Sequence, residues 1–328
     1  MRGENSSEPL RVAVIGAGAL GTFVAGLLAS IPQSPTVVLV GNARLAPHLD
    51  AIRSTGLRLL AAPDLAVRLP AQVIAGIVVV DHAAACPPCD LAIVLVKHSR
   101  TADAAQQAAR IVRPAGLVLT LQNGIGNFEI LAATLGPDRV ACGSTLLGAG
   151  LGAPGAVRVA SLAQTTLAVE PRLSPGRQAL LAALAVWLRA AGAPVAIVDD
   201  PLPVVWAKLV VNCAVNPVGA LLDMTNGALV ADAAASRVVA AAARETAHVA
   251  LQLGIALPFA AAAAPGVALD AARASAANYN SMVQDLRSGR ATEIDALNGA
   301  VVRAAQAAGI DAPINALLAD LIRARGGT

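Results

Sequence analysis

A doubly wound parallel α/β sheet followed by an all-α domain is the fold that this sequence predicts, and three observations predict it. The first is a glycine-rich turn, "GAGALG" at 16–21, set between an apolar strand-like run and an apolar helix-like run. The second is the alternation of short Val/Ile/Leu runs with Ala-rich helical segments as far as about residue 200. The third is that no convincing strand pattern follows residue 204. With 328 residues the chain is long enough for two cores, and we divide it at 1–200 and 201–328.

The bulk composition narrows the function classes. The chain is 56% hydrophobic and 14% charged, which excludes disorder and demands extensive burial. Aromatics are only 2%, so the cores are built from Ala and branched aliphatic side chains. A net charge of +3, with no Lys/Arg run and no interleaved aromatics, argues against a nucleic-acid partner. No apolar run has the flanks of a membrane span. The N-terminal stretch could be taken for a leader, but Glu4 and Glu8 precede the apolar run and three glycines interrupt it, so we expect a cytoplasmic protein. The cysteines are Cys86, Cys89, Cys142 and Cys213. "CPPC" at 86–89 has the spacing of a redox pair or half a zinc site, yet no second pair accompanies it. We read it as a Pro-rich loop in a reducing compartment.

The elements follow in order. Val12–Ile15 reads as a buried strand, and Gly16, Gly18 and Gly21 fit G-x-G-x-x-G before an apolar helix, the Rossmann-type arrangement. The first glycine makes the turn, the second admits a pyrophosphate to the backbone, and the third lets helix pack on strand. The helix N-terminus then offers amides to the phosphates, so the whole turn (Gly16, Ala17, Gly18, Ala19, Leu20 and Gly21) is a candidate cofactor site. A tight turn without a ligand is the other reading. The second strand, "TVVLVGNARL", ends in Gly41 and Asn42, where a site for NAD usually carries an acid. Without that carboxylate a 2′-phosphate meets no repulsion, and Arg44 is either its partner or an ordinary surface arginine. This favours NADP.

Further strands are expected at "LRLLAA", "VIAGIVVV", 91–97 and 117–123. Two of them end in polar residues: Lys97, and Asn123 followed by Gly124 and Gly126. In a doubly wound sheet, ligands sit beyond the carboxyl ends of the strands, so both are candidate ligand residues. An Asn–Gly at a strand end also serves as a plain turn. The segments "QTTLAVE", a helix over 176–192 and "PVAIVDD" complete the first domain, and Pro201 and Pro203 punctuate the boundary near Asp200.

Beyond the boundary we expect helices at 204–221, 231–254, 267–287, 293–308 and 313–325. The first contains "WAKLVVNCAVNPVGALL", in which Lys208, Asn212 and Asn216 recur every four residues and so line one helix face. Polar groups among so many apolar ones are either well paired or line a cavity. Thr292 to Asp295 fits a capping pattern that puts Glu293 in a first helical turn, where an acid stabilises the helix whether or not it has another role. Ser281 likewise reads either as an ordinary mid-helix serine or as a ligand.

Together these stretches resemble the ketopantoate reductase (2-dehydropantoate 2-reductase) family. The matching pieces are "GAGALG", "VK" at 96–97, "LQNGIGN" at 121–127, "WAKLVVNCAVNP", "SMVQDLRSGRATEIDALNG" and "GIDAPIN", in order from about residue 11 to 325. The resemblance implies NADPH-dependent reduction of 2-dehydropantoate to pantoate, on the route to pantothenate and coenzyme A. It implies that Lys208 is the catalytic lysine and Glu293 the essential acid. Asn212 and Asn216 match residues that hold the substrate hydroxyl, and Ser281 the serine on the carboxylate. Asn123 and Lys97 match the cofactor–substrate junction, to which we also assign Glu293. It implies that the polar face of the Lys208 helix lines an interdomain cleft. One departure stands out: the family's arginine for the 2′-phosphate is replaced by Asn42, with Arg44 two residues on. The rival readings are a dehydrogenase of the same two-domain plan acting on a different 2-oxo or 3-hydroxy acid, such as a reductase of another branched 2-oxo acid, and a non-catalytic NADPH sensor. A homodimer is plausible for such a helical domain, and no metal site is expected.

Overall fold

The computed structural model describes residues 9–61, 65, 69 and 71–326. Glu4 and Glu8, invoked above against a leader, and Ala62 of the "LRLLAA" run lie outside the described residues. The chain forms two compact units. One comprises Met1–Gln122 and Asn127–Pro201, and the other Asn123–Gly126 and Leu202–Thr328.

The first unit runs β1 (Arg11–Ile15), α1 (Ala19–Ala29), β2 (Thr36–Val40), α2 (Ala46–Thr55), β3 (Leu57–Ala61), β4 (Gln72–Ile74), β5 (Val78–Val80), β6 (Cys89–Val94), α3 (Thr101–Ile111), β7 (Val112–Thr120), α4 (Asn127–Leu135), β8 (Val140–Thr145), β9 (Gly148–Leu151), β10 (Ala156–Ser161), β11 (Thr165–Ala168), α5 (Pro175–Ala190) and β12 (Val195–Val198). Its main sheet has the order β12-β11-β8-β7-β6-β1-β2-β5. The strand order reverses at β1/β6, which pair in parallel, and this is where a doubly wound sheet opens its ligand crevice. Six strands from β5 to β8 are parallel, but β11 is antiparallel to β8 and β12 follows β11. The expected wholly parallel sheet is therefore mixed at one edge. No helix lies between β8 and β11. A return without a crossover helix brings the chain back in the opposite direction.

The strands are continuous apolar runs because both faces are covered. Val12, Val14, Val37, Leu39, Leu91 and Ile93 point into one core, and Ala13, Ile15, Val38, Val40, Ala92 and Val94 into the other. Each large aliphatic side chain so buried contributes on the order of 1.5–3 kcal/mol. A second sheet, β4-β3-β10-β9, was not foreseen. "VIAGIVVV" breaks around Gly76, leaving β4 in the small sheet and β5 at the edge of the main one. The small sheet packs on α1, which explains why that helix is buried from Gly21 to Leu28 on every side.

The second unit contains α6 (Leu202–Leu222), α7 (Asn226–Ala231), α8 (Ala233–Gln252), α9 (Ala264–Ala274), α10 (Ser281–Arg287), α11 (Asn298–Ala307) and α12 (Pro313–Ala324). Helix α6 is long and apolar enough to cross a membrane by composition, but most of it is buried against α8, α9, α10 and α12. Three boundaries differ from expectation. The helix expected from 231 starts after Asp232, whose side chain accepts from the Ala234 and Ala235 amides as an N-cap. The helix expected over 267–287 is broken at 275–280, because the carbonyls of Ala276 and Asn278 accept the first amides of α7, Gly227 and Asn226. The last helix to differ begins at Asn298 rather than 293. A turn through Glu293, whose carbonyl accepts from Ala296 and Leu297, precedes it.

Candidate active site

The glycine turn is built as the motif requires. Gly16 has φ +115°, open to glycine, and a Cβ there would lie 2.8 Å from the Leu95 carbonyl oxygen. A Cβ on Gly21 would sit 1.8 Å from the Gly16 carbonyl oxygen, so helix and turn meet backbone to backbone. Gly18 is the N-cap of α1, with no side chain capping the helix, no acid in its first turn and open space where a Cβ would point. Uncapped amides at an open helix N-terminus, beginning at Ala19 and Leu20, fit a pyrophosphate.

Behind the turn lies a buried relay that sequence reasoning missed. The Gly155 N–H donates to His48 Nδ1 (3.2 Å), which leaves the ring proton on Nε2, 3.4 Å from Thr22 Oγ1. The Thr22 hydroxyl in turn donates to the carbonyl of Ala17 (3.1 Å). Burial pushes the His48 pKa down, so the ring is held neutral and the relay keeps its direction. Nothing in a lone histidine four residues after Arg44 signals this; the partner amide is 107 residues away in sequence.

Asn42 and Arg44 are both exposed just past β2. Asn42 Oδ1 accepts from the Arg44 N–H (3.0 Å), so the asparagine caps the turn that carries the arginine. Lys97 is half-buried after β6 and opens a one-turn helix, His98–Arg100. The loops after β6 and β7 are stitched together by residues not picked out beforehand. Gln122 Nε2 donates to the Val96 carbonyl and to Thr101 Oγ1, both at 2.9 Å. Asn127 Oδ1 accepts from Thr101 Oγ1 (2.9 Å) and contacts His98 Nδ1 (2.7 Å). Polar Thr120 and Gln122 ending an apolar strand were the available signal.

The helical unit gathers the other candidates. Segment Asn123–Gly126 belongs to it: Ile125 N donates to the Ala296 carbonyl, and Gly124 (φ +80°) leaves no room for a Cβ beside the same oxygen. Asn123 Nδ2 donates to Glu293 Oε2 at 3.2 Å. Glu293 sits in the turn before α11, not in a first helical turn as expected; Thr292 Oγ1 accepts from Ile294 N instead. Lys208, Asn212 and Asn216 follow one another on α6, with Asn216 buried. Burial lowers the Lys208 pKa from 10.5 to about 8, against the nearby Glu293 carboxylate, which raises it. Asn123, Glu293 and Lys208 thus form one electrostatic group. Ser281 is not mid-helix: it is exposed as the first residue of α10, whose N-cap is Asn280.

Pro217 explains how this group is held. It stands inside α6 without an N–H, so the Cys213 carbonyl loses its helical donor. Asn298 Nδ2, fully buried at the start of α11, donates to that carbonyl at 2.9 Å and also to Asn315 Oδ1. Asn280 Nδ2 reaches the Val215 carbonyl at 3.3 Å, beside Gly219, where a Cβ would come within 2.5 Å of it. The segments bearing Glu293 and Ser281 are therefore tied to the helix bearing Lys208.

A Rossmann-type unit with an open pyrophosphate turn, and a helical unit with a low-pKa lysine beside a carboxylate, define a nicotinamide-dependent oxidoreductase acting on a carbonyl acid. Residues 12–171 match the family model described as Ketopantoate reductase PanE/ApbA, and residues 201–326 its C-terminal counterpart. The 2-dehydropantoate 2-reductase of Halobacterium salinarum is 36% identical over 314 residues, covering 96% of this chain and 98% of that one. The crystal structure of a PanE/ApbA family ketopantoate reductase from Ralstonia eutropha superposes with a TM-score of 0.83 at 31% identity, covering 97% and 98% of the two chains. D-mandelate dehydrogenase, solved with NADH and anilino(oxo)acetate, gives a TM-score of 0.84 at 25% identity, covering 97% and 98%. The chain belongs to the ketopantoate reductase family.

Proposed function

We propose that Lys208 and Glu293 carry the NADPH-dependent reduction of 2-dehydropantoate to pantoate, with Asn123, Asn212, Asn216 and Ser281 holding the substrate. The observation that carries this reading is the Asn123–Glu293–Lys208 group, in which burial brings the lysine to about 8. NADPH, when bound, supplies the hydride that reduces the C2 carbonyl. The oxygen of that carbonyl becomes an alkoxide and has to be neutralised. The Lys208 ammonium stabilises this developing charge and donates the proton, and a pKa close to the working pH makes it an effective acid. Glu293 keeps the lysine protonated below about 8, and the Asn123 amide orients the carboxylate. Amides on Asn212 and Asn216 pair with the substrate hydroxyl, so an analogue lacking it leaves a buried amide unpaired. Ser281 takes the carboxylate. In the α/β unit, Gly16 to Gly21 bind the pyrophosphate, Asn42 and Arg44 the adenosine end, and Lys97 the junction with the substrate. We place the enzyme in the cytoplasm and propose that it works as a homodimer.

One observation favours a second reading. Asn42 stands where the family's arginine grips the 2′-phosphate, and a structural relative was solved with NADH. A different 2-oxo acid, or tolerance of NADH, would be compatible with the same machinery. Following cofactor oxidation with ketopantoate and other branched 2-oxo acids, using NADPH and then NADH, separates the readings. Turnover greatest with ketopantoate and NADPH supports the first. Turnover confined to another 2-oxo acid would keep the chemistry and move the substrate.

A further inference from the structure

The "CPPC" loop takes no part in the reaction above, yet its two thiols are closer than a Pro-rich connector requires. Cys86 Sγ lies 3.7 Å from Cys89 Sγ, and both sulfurs approach the Pro87 carbonyl, at 3.4 and 3.1 Å. Two successive prolines fix the backbone between them, so the approach is pre-organised. The loop is also anchored. Arg11 Nη1 donates to the Pro88 carbonyl (2.8 Å), and Asp90 accepts from the Arg11 amide and pairs with Arg113. The two cysteines differ in access: Cys86 is half-buried and reachable, whereas Cys89, the first residue of β6, is fully buried.

We propose that Cys86 and Cys89 are a reversible dithiol–disulfide site that exchanges with low-molecular-weight disulfides. Cys86 is the attacking thiol. Its pKa is lowered by the hydrogen bond with Cys89 and by the Arg11 charge, while the same bond and burial raise that of Cys89. This asymmetry is the one that separates an attacking from a resolving cysteine. The Cys86 thiolate attacks one sulfur of the small disulfide, forming a mixed disulfide and releasing one thiolate. Cys89 sulfur then displaces the second small thiol as the Cys86–Cys89 bond forms, and the two protons given up by Cys86 and Cys89 protonate the two released thiolates. The two protein sulfurs are oxidised by two electrons, and the small disulfide is reduced to two thiols. A metal at the loop is disfavoured, since among the described residues no group of three His, Cys, Asp or Glu side chains could hold one. Desolvation raises the pKa of Cys142, which is half-buried like Cys86, and of the fully buried Cys213, so both serve as internal references.

Glutathione disulfide is the probe, and mass spectrometry of the intact chain and of the alkylated peptide spanning 86–89 is the readout. The wild-type chain should lose two hydrogen atoms as the ratio of oxidised to reduced glutathione rises. The peptide should become resistant to alkylation and recover with dithiothreitol. Cys89→Ser should instead retain one glutathione on residue 86, and Cys86→Ser should take none. Cys86 should also alkylate at least about tenfold faster than Cys142 or Cys213. A wild-type chain that stays a dithiol at every ratio, or that ends as a stable glutathione adduct, overturns the proposal. That wild-type measurement needs neither variant to fold, and it is independent of the activity proposed above.

Discussion

Asn298 Nδ2 donates to the Cys213 carbonyl at 2.9 Å, the acceptor that Pro217 leaves without its helical partner. A proline in a helix interior both removes a donor and crowds that carbonyl. Here the vacancy becomes a fixing point between the helix of Lys208 and the segment that follows Glu293. Asn298→Leu should therefore cost about 1–3 kcal/mol, the range for a buried acceptor left unpaired. In the Pro217→Ala background the backbone N–H can return to Cys213, and the same change should cost less. Urea unfolding of the four proteins gives the coupling, expected at about 1 kcal/mol, while additive losses would separate the two residues.

The hydroxyl of Thr22 holds the carbonyl of Ala17 inside the glycine turn. Thr22→Val keeps the shape and deletes the bond, so the KM for NADPH should rise about fivefold, matching roughly 1 kcal/mol, with little change in kcat. A fall in kcat with KM unchanged would take the relay out of cofactor binding.

Arg44 is exposed on the turn that Asn42 caps. If it meets the 2′-phosphate, Arg44→Ala should raise the KM for NADPH about tenfold and leave that for NADH nearly unchanged. Equal effects on both cofactors would return Arg44 to the role of a surface arginine.

The lowered pKa of Lys208 has a stability signature. Its folded value, about 8, lies below the ordinary lysine value of 10.5. Between those values the unfolded chain binds more protons, so stability rises with pH through that window. The lysine's share of that rise is at most about 3 kcal/mol and should be missing from Lys208→Met. Urea unfolding of both proteins at pH 7.5 and 9.5 measures the difference; parallel changes in the two would mean that the ammonium is well solvated.

Much of this was legible beforehand because it rests on local pattern. The glycine turn announces itself between strand and helix, and Lys208, Asn212 and Asn216 stand out by periodicity in an apolar helix. What escaped depends on distant partners. Gly155 meets His48, Asn298 meets Cys213, and β3 pairs with β10 across about a hundred residues; no window of sequence contains both members. Glu293 was expected in a first helical turn but lies in a turn before α11, because its capping pattern looks the same whether a helix or a turn follows. Helix breaks at 275–280 were hidden for a similar reason: the carbonyls they free are taken up by α7.

Lys208 is the proposed proton donor, and Glu293 the group proposed to set its pKa. The direct measurement is kcat against pH with ketopantoate and NADPH, for wild type and Glu293→Gln, with Lys208→Ala as a reference about a hundredfold slower. In wild type, kcat should fall about tenfold per pH unit above a break near 8. Removing the carboxylate that supports the ammonium should move the break to lower pH. A profile that stays level through pH 10, or a break that Glu293→Gln leaves in place, would contradict the assignment.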